Sequence, residues 1–261
     1  MKKILLVSGC SNTEKDFYSD WHPELDTSWP KWPEILAKKL DMEPVNLAKS
    51  GMGNEYIYTT LLRFITTTNK DKIGLVIPAW TQNQRKDFQE KGYWNNQRID
   101  PDGDVFSWMR RTLDTYLSFQ ILCERYNLPY MQVQMLSPYQ DWLNGLMPRD
   151  NHTKLSNNKT LLFTAKDFRH KYPGNKDPDN KKLIKMISGY ENLLDTKKFL
   201  GWPLSHEYGG YSLQKKLIGI RSKKTGVFSK VNLDTMISNL DHHPNAKGHE
   251  KIAEFIYDRL G

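Results

Sequence analysis

Cysteine is nearly missing from this chain: among 261 residues only Cys10 and Cys123 occur. Two thiols so far apart give no disulfide framework, so a cross-linked scaffold is excluded and the reducing cytoplasm of the producing cell is the expected setting. Long apolar runs are missing too. No stretch approaches the roughly 18 residues that a membrane-spanning helix requires. The start of the chain, KKILLVSGC, has the outline of a lipoprotein leader, but its apolar part, residues 4–7, is shorter than the roughly 7–15 residues of a secretory h-region. No signal peptide is expected. There is no internal repeat and no Gly-x-Ser-x-Gly elbow. The Asp241-His242-His243 run, with His249 nearby, has no second carboxylate–histidine cluster to complete a metal set. No metal or organic cofactor is therefore expected.

Acidic residues are the minority charge, 30 against 38 Lys and Arg, and the excess is local. Residues 149–230 hold 18 basic against 7 acidic side chains, a net +11, while the remainder carries −3. Such a region suits an anionic partner, although solvated lysine faces give the same count. No helix-turn-helix, zinc or RNP signature accompanies it, so specific nucleic-acid contact is not expected. Otherwise the composition, 38% hydrophobic and 26% charged, is that of an ordinary globular domain.

Four apolar runs, at 4–7, 44–47, 73–78 and 130–136, read as strands, and helical patterns at 32–40, 55–67 and 105–126 separate them. Alternation of this kind implies right-handed crossovers and a doubly wound, mostly parallel sheet in one domain spanning 1–261. After Pro138 the alternation stops until a final amphipathic helix over 245–260. Residues 139–237 therefore read as a basic insertion or lid. Within it a helix is expected over 181–194, and the Gly/Tyr-rich 199–212 segment is the lid candidate.

The chemistry-bearing residues cluster at the two ends. Asp241 and His243 lie two residues apart, followed by Pro244-Asn245 and the last helix. A carboxylate close enough to fix an imidazole's tautomer is the base half of a serine-hydrolase triad. At the other end, the strand over 4–7 runs into the small-residue turn Ser8-Gly9-Cys10-Ser11-Asn12. That turn exposes the Ser11 hydroxyl at a sheet's carboxyl rim, where open α/β folds bind ligands. A third piece, VNLAKSGMGNEYIY at 45–58, is a strand, a glycine turn and an amphipathic helix.

Taken together, Gly-x-Ser after the first strand, Asn-x-Ala-x-x-Gly after the second and Asp-x-His-Pro before the last helix resemble the SGNH, or GDSL-type, hydrolases. The resemblance covers residues 1–80 and 238–261 and is nearest to divergent members found in phage genomes, which share Gly-Asn-Glu-Tyr-Ile and a Trp-Thr after the third strand. It implies a three-layer α/β/α, flavodoxin-like fold with an insertion in its second half. It also implies Ser11 as nucleophile, His243 as base, Asp241 as orienting carboxylate, and the Ser11 and Gly51 N–H groups as oxyanion donors.

This chain departs from that pattern twice. The third block reads Pro78-Ala79-Trp80-Thr81 where the family has Gly-x-Asn-Asp, so the usual side-chain oxyanion donor is missing, which implies either a substitute group, Asn54 with Asn83 as the alternative, or a slow or inactive protein. The base motif is Asp-x-His in place of Asp-x-x-His. Trp80, Trp202 and Arg85 are expected to touch substrate, Trp202 against a sugar and the guanidinium against an anionic group. The implied reaction is hydrolysis of an O-acetyl or other acyl ester on a carbohydrate. Acyl transfer and a non-hydrolytic, virion-associated binding role are the alternatives.

Overall fold

The structure is a computed structural model describing residues 2–138, 180–204, 210–218, 233–238 and 240–261. Most of the basic stretch lies outside the described residues. The main sheet contains β1 (Ile4–Ser8), β2 (Glu43–Asn46), β3 (Ile73–Trp80), β6 (Gln132–Gln134) and β7 (Phe199–Leu200), in the order β2-β1-β3-β6-β7 with every pair parallel. Chain order reverses at β1, so the switch-point crevice opens between the carboxyl ends of β1 and β3.

Helices cover both faces. α2 (Asn54–Thr67), α3 (Val105–Arg125) and α4 (Asn180–Gly189) pack on one; α1 (Trp32–Lys39), α5 (Leu213–Ile218) and α6 (Ala246–Leu260) pack on the other. In β1, Leu6 joins the first layer while Leu5 and Val7 join the second, the period-2 alternation of a strand. β3, the middle strand, is buried at all eight positions, as a strand covered on both sides must be. Its pairing with β1 slips at Gly74, so Ile73 and Val76 face one layer and Leu75 and Ile77 the other.

The expected strands and helices are present with small shifts at their ends. The helix expected over 181–194 stops at Gly189. Two features went unread. After β3 the chain makes a hairpin, β4 (Lys86–Glu90) against β5 (Tyr93–Gln97), closed by Lys91 and Gly92 at φ 50 and 83. Positive φ at both positions makes the tight turn that suits strand twist, but Lys-Gly is a weak signal for it. Secondly, residues 199–200 add the fifth sheet strand. The described parts of 139–237 are thus built into the domain: Leu183, Ile187 and Phe199 join one apolar layer, and Leu200, Leu213, Leu217 and Met236 the other. The lid expected at 199–212 begins as core.

Candidate active site

Gly9 leaves β1 where no side chain fits: a β-carbon there would stand 2.6 Å from Thr13 Oγ1 and 3.1 Å from Ala79 Cβ. The chain then coils once, with the Thr13 and Glu14 N–H groups both donating to Cys10 O at 2.8 and 3.1 Å. Cys10 is fully buried inside this turn, and Ser11 stands half-exposed on it.

The loop before α6 is held as firmly. Ile237 N donates to His243 O (2.9 Å), Ser238 N to Asp241 O (3.0 Å) and Asp241 N to Ser238 Oγ (2.9 Å). Asn245 caps α6, its Oδ1 accepting from Gly248 N at 3.0 Å, while its Nδ2 donates back to Met236 O at 3.0 Å. The shortened Asp-x-His spacing works through a local turn: Asp241 Oδ1 accepts from the His243 backbone N–H at 3.0 Å and lies 2.5 Å from His243 Nδ1. His243 Nε2 in turn lies 2.8 Å from Ser11 Oγ. Since an ionised carboxylate only accepts, Nδ1 carries the ring proton and Nε2 is left to accept from the serine hydroxyl.

Asp241 is 2% exposed. Burial alone would favour its neutral form, but hydrogen bonds from His243 and Ser19 and the imidazole's charge outweigh that and lower its pKa to about 2. Ser19 was not anticipated. Its buried hydroxyl donates to Asp241 Oδ2 and accepts from His22 N, and it stands 222 residues away along the chain. Phe17 was missed as well; its ring lies 4.4 Å from the His243 ring. No sequence signal marks either, because a serine and a phenylalanine in a polar loop announce no partner.

The glycine turn after β2 holds Gly51 at φ 81, a conformation that side-chain-bearing residues resist. Among the described residues neither the Ser11 nor the Gly51 backbone N–H has a hydrogen-bond partner.

Of the five other expected contacts, four fall elsewhere. The Asn54 amide is engaged at the start of α2, with Oδ1 accepting from Thr81 N at 2.9 Å and Nδ2 3.4 Å from Thr112 Oγ1, so it is not the replacement donor. Both amide atoms of Asn83 are buried without a partner among the described residues. Trp80 is core: fully buried, 4.8 Å from the Tyr116 ring, its Nε1 donating to Gln132. An inward position on a strand covered on both faces cannot offer a ring to substrate. Trp202 packs on Phe199 beside β7. With β3 and β6 between β7 and β1, it lies roughly 14 Å across the sheet from the serine turn. Arg85 faces inward, donating to Gln82 Oε1 and to the Gly51 and Met52 carbonyls.

The remaining histidines separate in the same way. His249 is 1% exposed and its Nδ1 accepts from Trp32 N at 3.2 Å, a contact that needs the neutral ring. Burial, then the charge of Lys31, lowers its pKa to about 3. His242 is half-buried. Among the described residues no three His, Cys, Asp or Glu side chains gather as a metal set, and no helix is long and apolar enough to cross a membrane.

A parallel sheet in the order β2-β1-β3-β6-β7 carries the serine turn off β1, the glycine turn off β2 and the Asp-x-His loop into the last helix. The architecture is a three-layer α/β/α arrangement on a doubly wound parallel sheet. No protein-family model and no curated protein matches the chain. Among solved structures, one similar chain is a candidate lipolytic protein of the G-D-S-L family from Desulfitobacterium hafniense DCB-2, 14% identical, with a TM-score of 0.45 over 98% of this chain and 99% of that one. Another is a candidate SGNH hydrolase from Slackia heliotrinireducens, 11% identical, with a TM-score of 0.44 and all of both chains covered.

Proposed function

We propose that this chain is an SGNH-type serine esterase that removes short acyl groups, O-acetyl foremost, from a carbohydrate carrier. The observation that carries the reading is the unbroken line Ser11 Oγ, His243 Nε2, His243 Nδ1, Asp241 Oδ1, with steps of 2.8 and 2.5 Å at its two hydrogen bonds. Ser11 Oγ attacks the ester carbonyl as its proton passes to His243 Nε2, and buried Asp241 stabilises the imidazolium. The oxyanion takes the N–H groups of Ser11 and Gly51. Collapse breaks the bond to the leaving alcohol, which receives the proton from Nε2. Water then repeats the steps on the acyl-serine and regenerates the Ser11 hydroxyl. The net +11 of residues 149–230 favours an anionic carrier.

The test is labelling and turnover together. Purified protein is expected to take up a fluorophosphonate at Ser11, to hydrolyse p-nitrophenyl acetate, and to release acetate from acetylated anionic glycans faster than from neutral ones. Ser11→Ala should lose labelling and at least about 10³-fold in turnover. Folded protein that neither labels nor turns over would leave the non-hydrolytic binding role in its place. Labelling that survives Ser11→Ala would move the site.

A further inference from the structure

The Gly51 turn is held from outside by the β4–β5 hairpin and by Arg85, the residue that leads into β4. Its Nη1 donates to Gly51 O at 3.0 Å and to Met52 O at 2.8 Å, and its Nε to Gln82 Oε1 at 3.1 Å. Two residues on, the Asp87 carboxylate accepts from Gly53 N at 2.7 Å and Tyr56 N at 2.8 Å, fixing the end of the same turn and the start of α2. A second hairpin residue closes the other side: a β-carbon at Gly51 would stand 3.0 Å from Asn96 Nδ2. Gly53 is equally confined, since a β-carbon there would lie 2.9 Å from both Arg85 Cβ and Asp87 Oδ2. Two carbonyls and one N–H of the turn are therefore tied to this hairpin and its lead-in, while the Gly51 N–H has no partner among the described residues.

Arg85 itself is half-buried and makes no ion pair among the described residues; Cys10, next to Ser11, and Asp87 are within its electrostatic reach. Taking a guanidinium partly out of water is unfavourable unless its charge or its fork is used. We infer that Arg85 is the positioning residue of the oxyanion site: it fixes the Gly51–Met52 peptide, adjoining the peptide whose Gly51 N–H meets the oxyanion, and brings a guanidinium charge to that side of the turn. In this way the hairpin supplies what the missing side-chain amide of the third block would have given. Electrostatic preorganisation of this sort acts on the transition state more than on the bound ester. The inference rests on the esterase reading above.

The experiment compares wild type, Arg85→Lys and Arg85→Ala for kcat and KM on p-nitrophenyl acetate, counted per serine labelled by the fluorophosphonate so that unfolded molecules drop out. Arg85→Ala should lose on the order of 10²-fold in kcat, with KM within about threefold. Arg85→Lys, which keeps the charge but not the fork, should fall between. Millimolar guanidinium should restore part of the Arg85→Ala rate, and urea, similar in shape but uncharged, should not. Should Arg85→Ala fail to fold, the kcat of Arg85→Lys decides alone. An active wild type with both variants within threefold of its kcat overturns the inference and leaves the esterase intact, as does equal rescue by urea. A wild type that neither labels nor hydrolyses removes the esterase reading, and this one with it.

Discussion

Ser19 does for Asp241 what Asp241 does for His243. One carboxylate oxygen faces the imidazole and the histidine's own backbone N–H, and the other takes the Ser19 hydroxyl, so a buried anion has donors on both oxygens. A hydrogen bond to a charged group contributes about 1.5–3 kcal/mol, and losing it leaves part of a buried charge unsatisfied. Ser19→Ala should therefore lower kcat about tenfold with little change in KM, because the carboxylate is freed to turn from the ring. It should also raise the acid-unfolding midpoint. With a folded pKa of about 2 against an ordinary 3.8, Asp241 contributes stability that is complete above pH 4 and is lost as pH falls toward 2. Removing Ser19 narrows that interval from below. Titrating kcat and circular dichroism from pH 7 to 2 in both proteins checks the two effects together, and an unchanged kcat would leave Ser19 with a packing role only.

At the scale of the element, α6 depends on how closely it meets the loop that carries the base. Gly248, in its first turn, is where helix and loop touch: a β-carbon would fall 2.1 Å from Thr235 O and 2.8 Å from Pro244 Cβ. Intrinsic helix propensity favours alanine over glycine there by about 1 kcal/mol. The contact decides otherwise, since a backbone carbonyl cannot swing aside as a flexible side chain can. Gly248→Ala should lower the thermal midpoint by several degrees, a cost of about 1–3 kcal/mol. Turnover should fall with it because Pro244 adjoins His243. Differential scanning calorimetry gives the sign directly. A higher midpoint would mean that propensity outweighs the contact.

For the whole molecule, the link between α6 and α1 is a histidine that has to stay neutral. His249 Nδ1 accepts from Trp32 N at the start of α1, and the folded state refuses the proton down to about pH 3. The unfolded chain takes that proton up near pH 6.5, so stability is complete above that pH and declines as pH falls toward 3. By pH 5 the loss is about 2 kcal/mol, at about 1.36 kcal/mol per pH unit. His249→Asn keeps an acceptor for Trp32 N without a titrating group. Urea unfolding at pH 7 and 5 should show wild type losing about 2 kcal/mol more than the variant across that interval. Parallel losses would place the acid sensitivity in other groups.

Residue order carries the part of this protein whose physics is local. Period-2 and helical apolar patterns, the small-residue turn after the first strand and the Asn245 cap are all settled by neighbours along the chain. For that reason the doubly wound sheet and the stretches around Ser11, Gly51 and His243 are legible from residue order alone. Direction and partnership are decided in three dimensions. Trp80 reads as a substrate contact and is core, because β3 is covered on both sides. Arg85 reads as a ligand for substrate and turns inward, because an unread Lys-Gly hairpin carries it under the Gly51 turn. Asn54 reads as a free amide and is bound to Thr81. Ser19 reaches Asp241 across 222 residues, and residues 199–200, expected in a lid, complete the sheet. Such contacts depend on which segments the tertiary fold sets side by side, and composition and periodicity at either partner carry no record of the other.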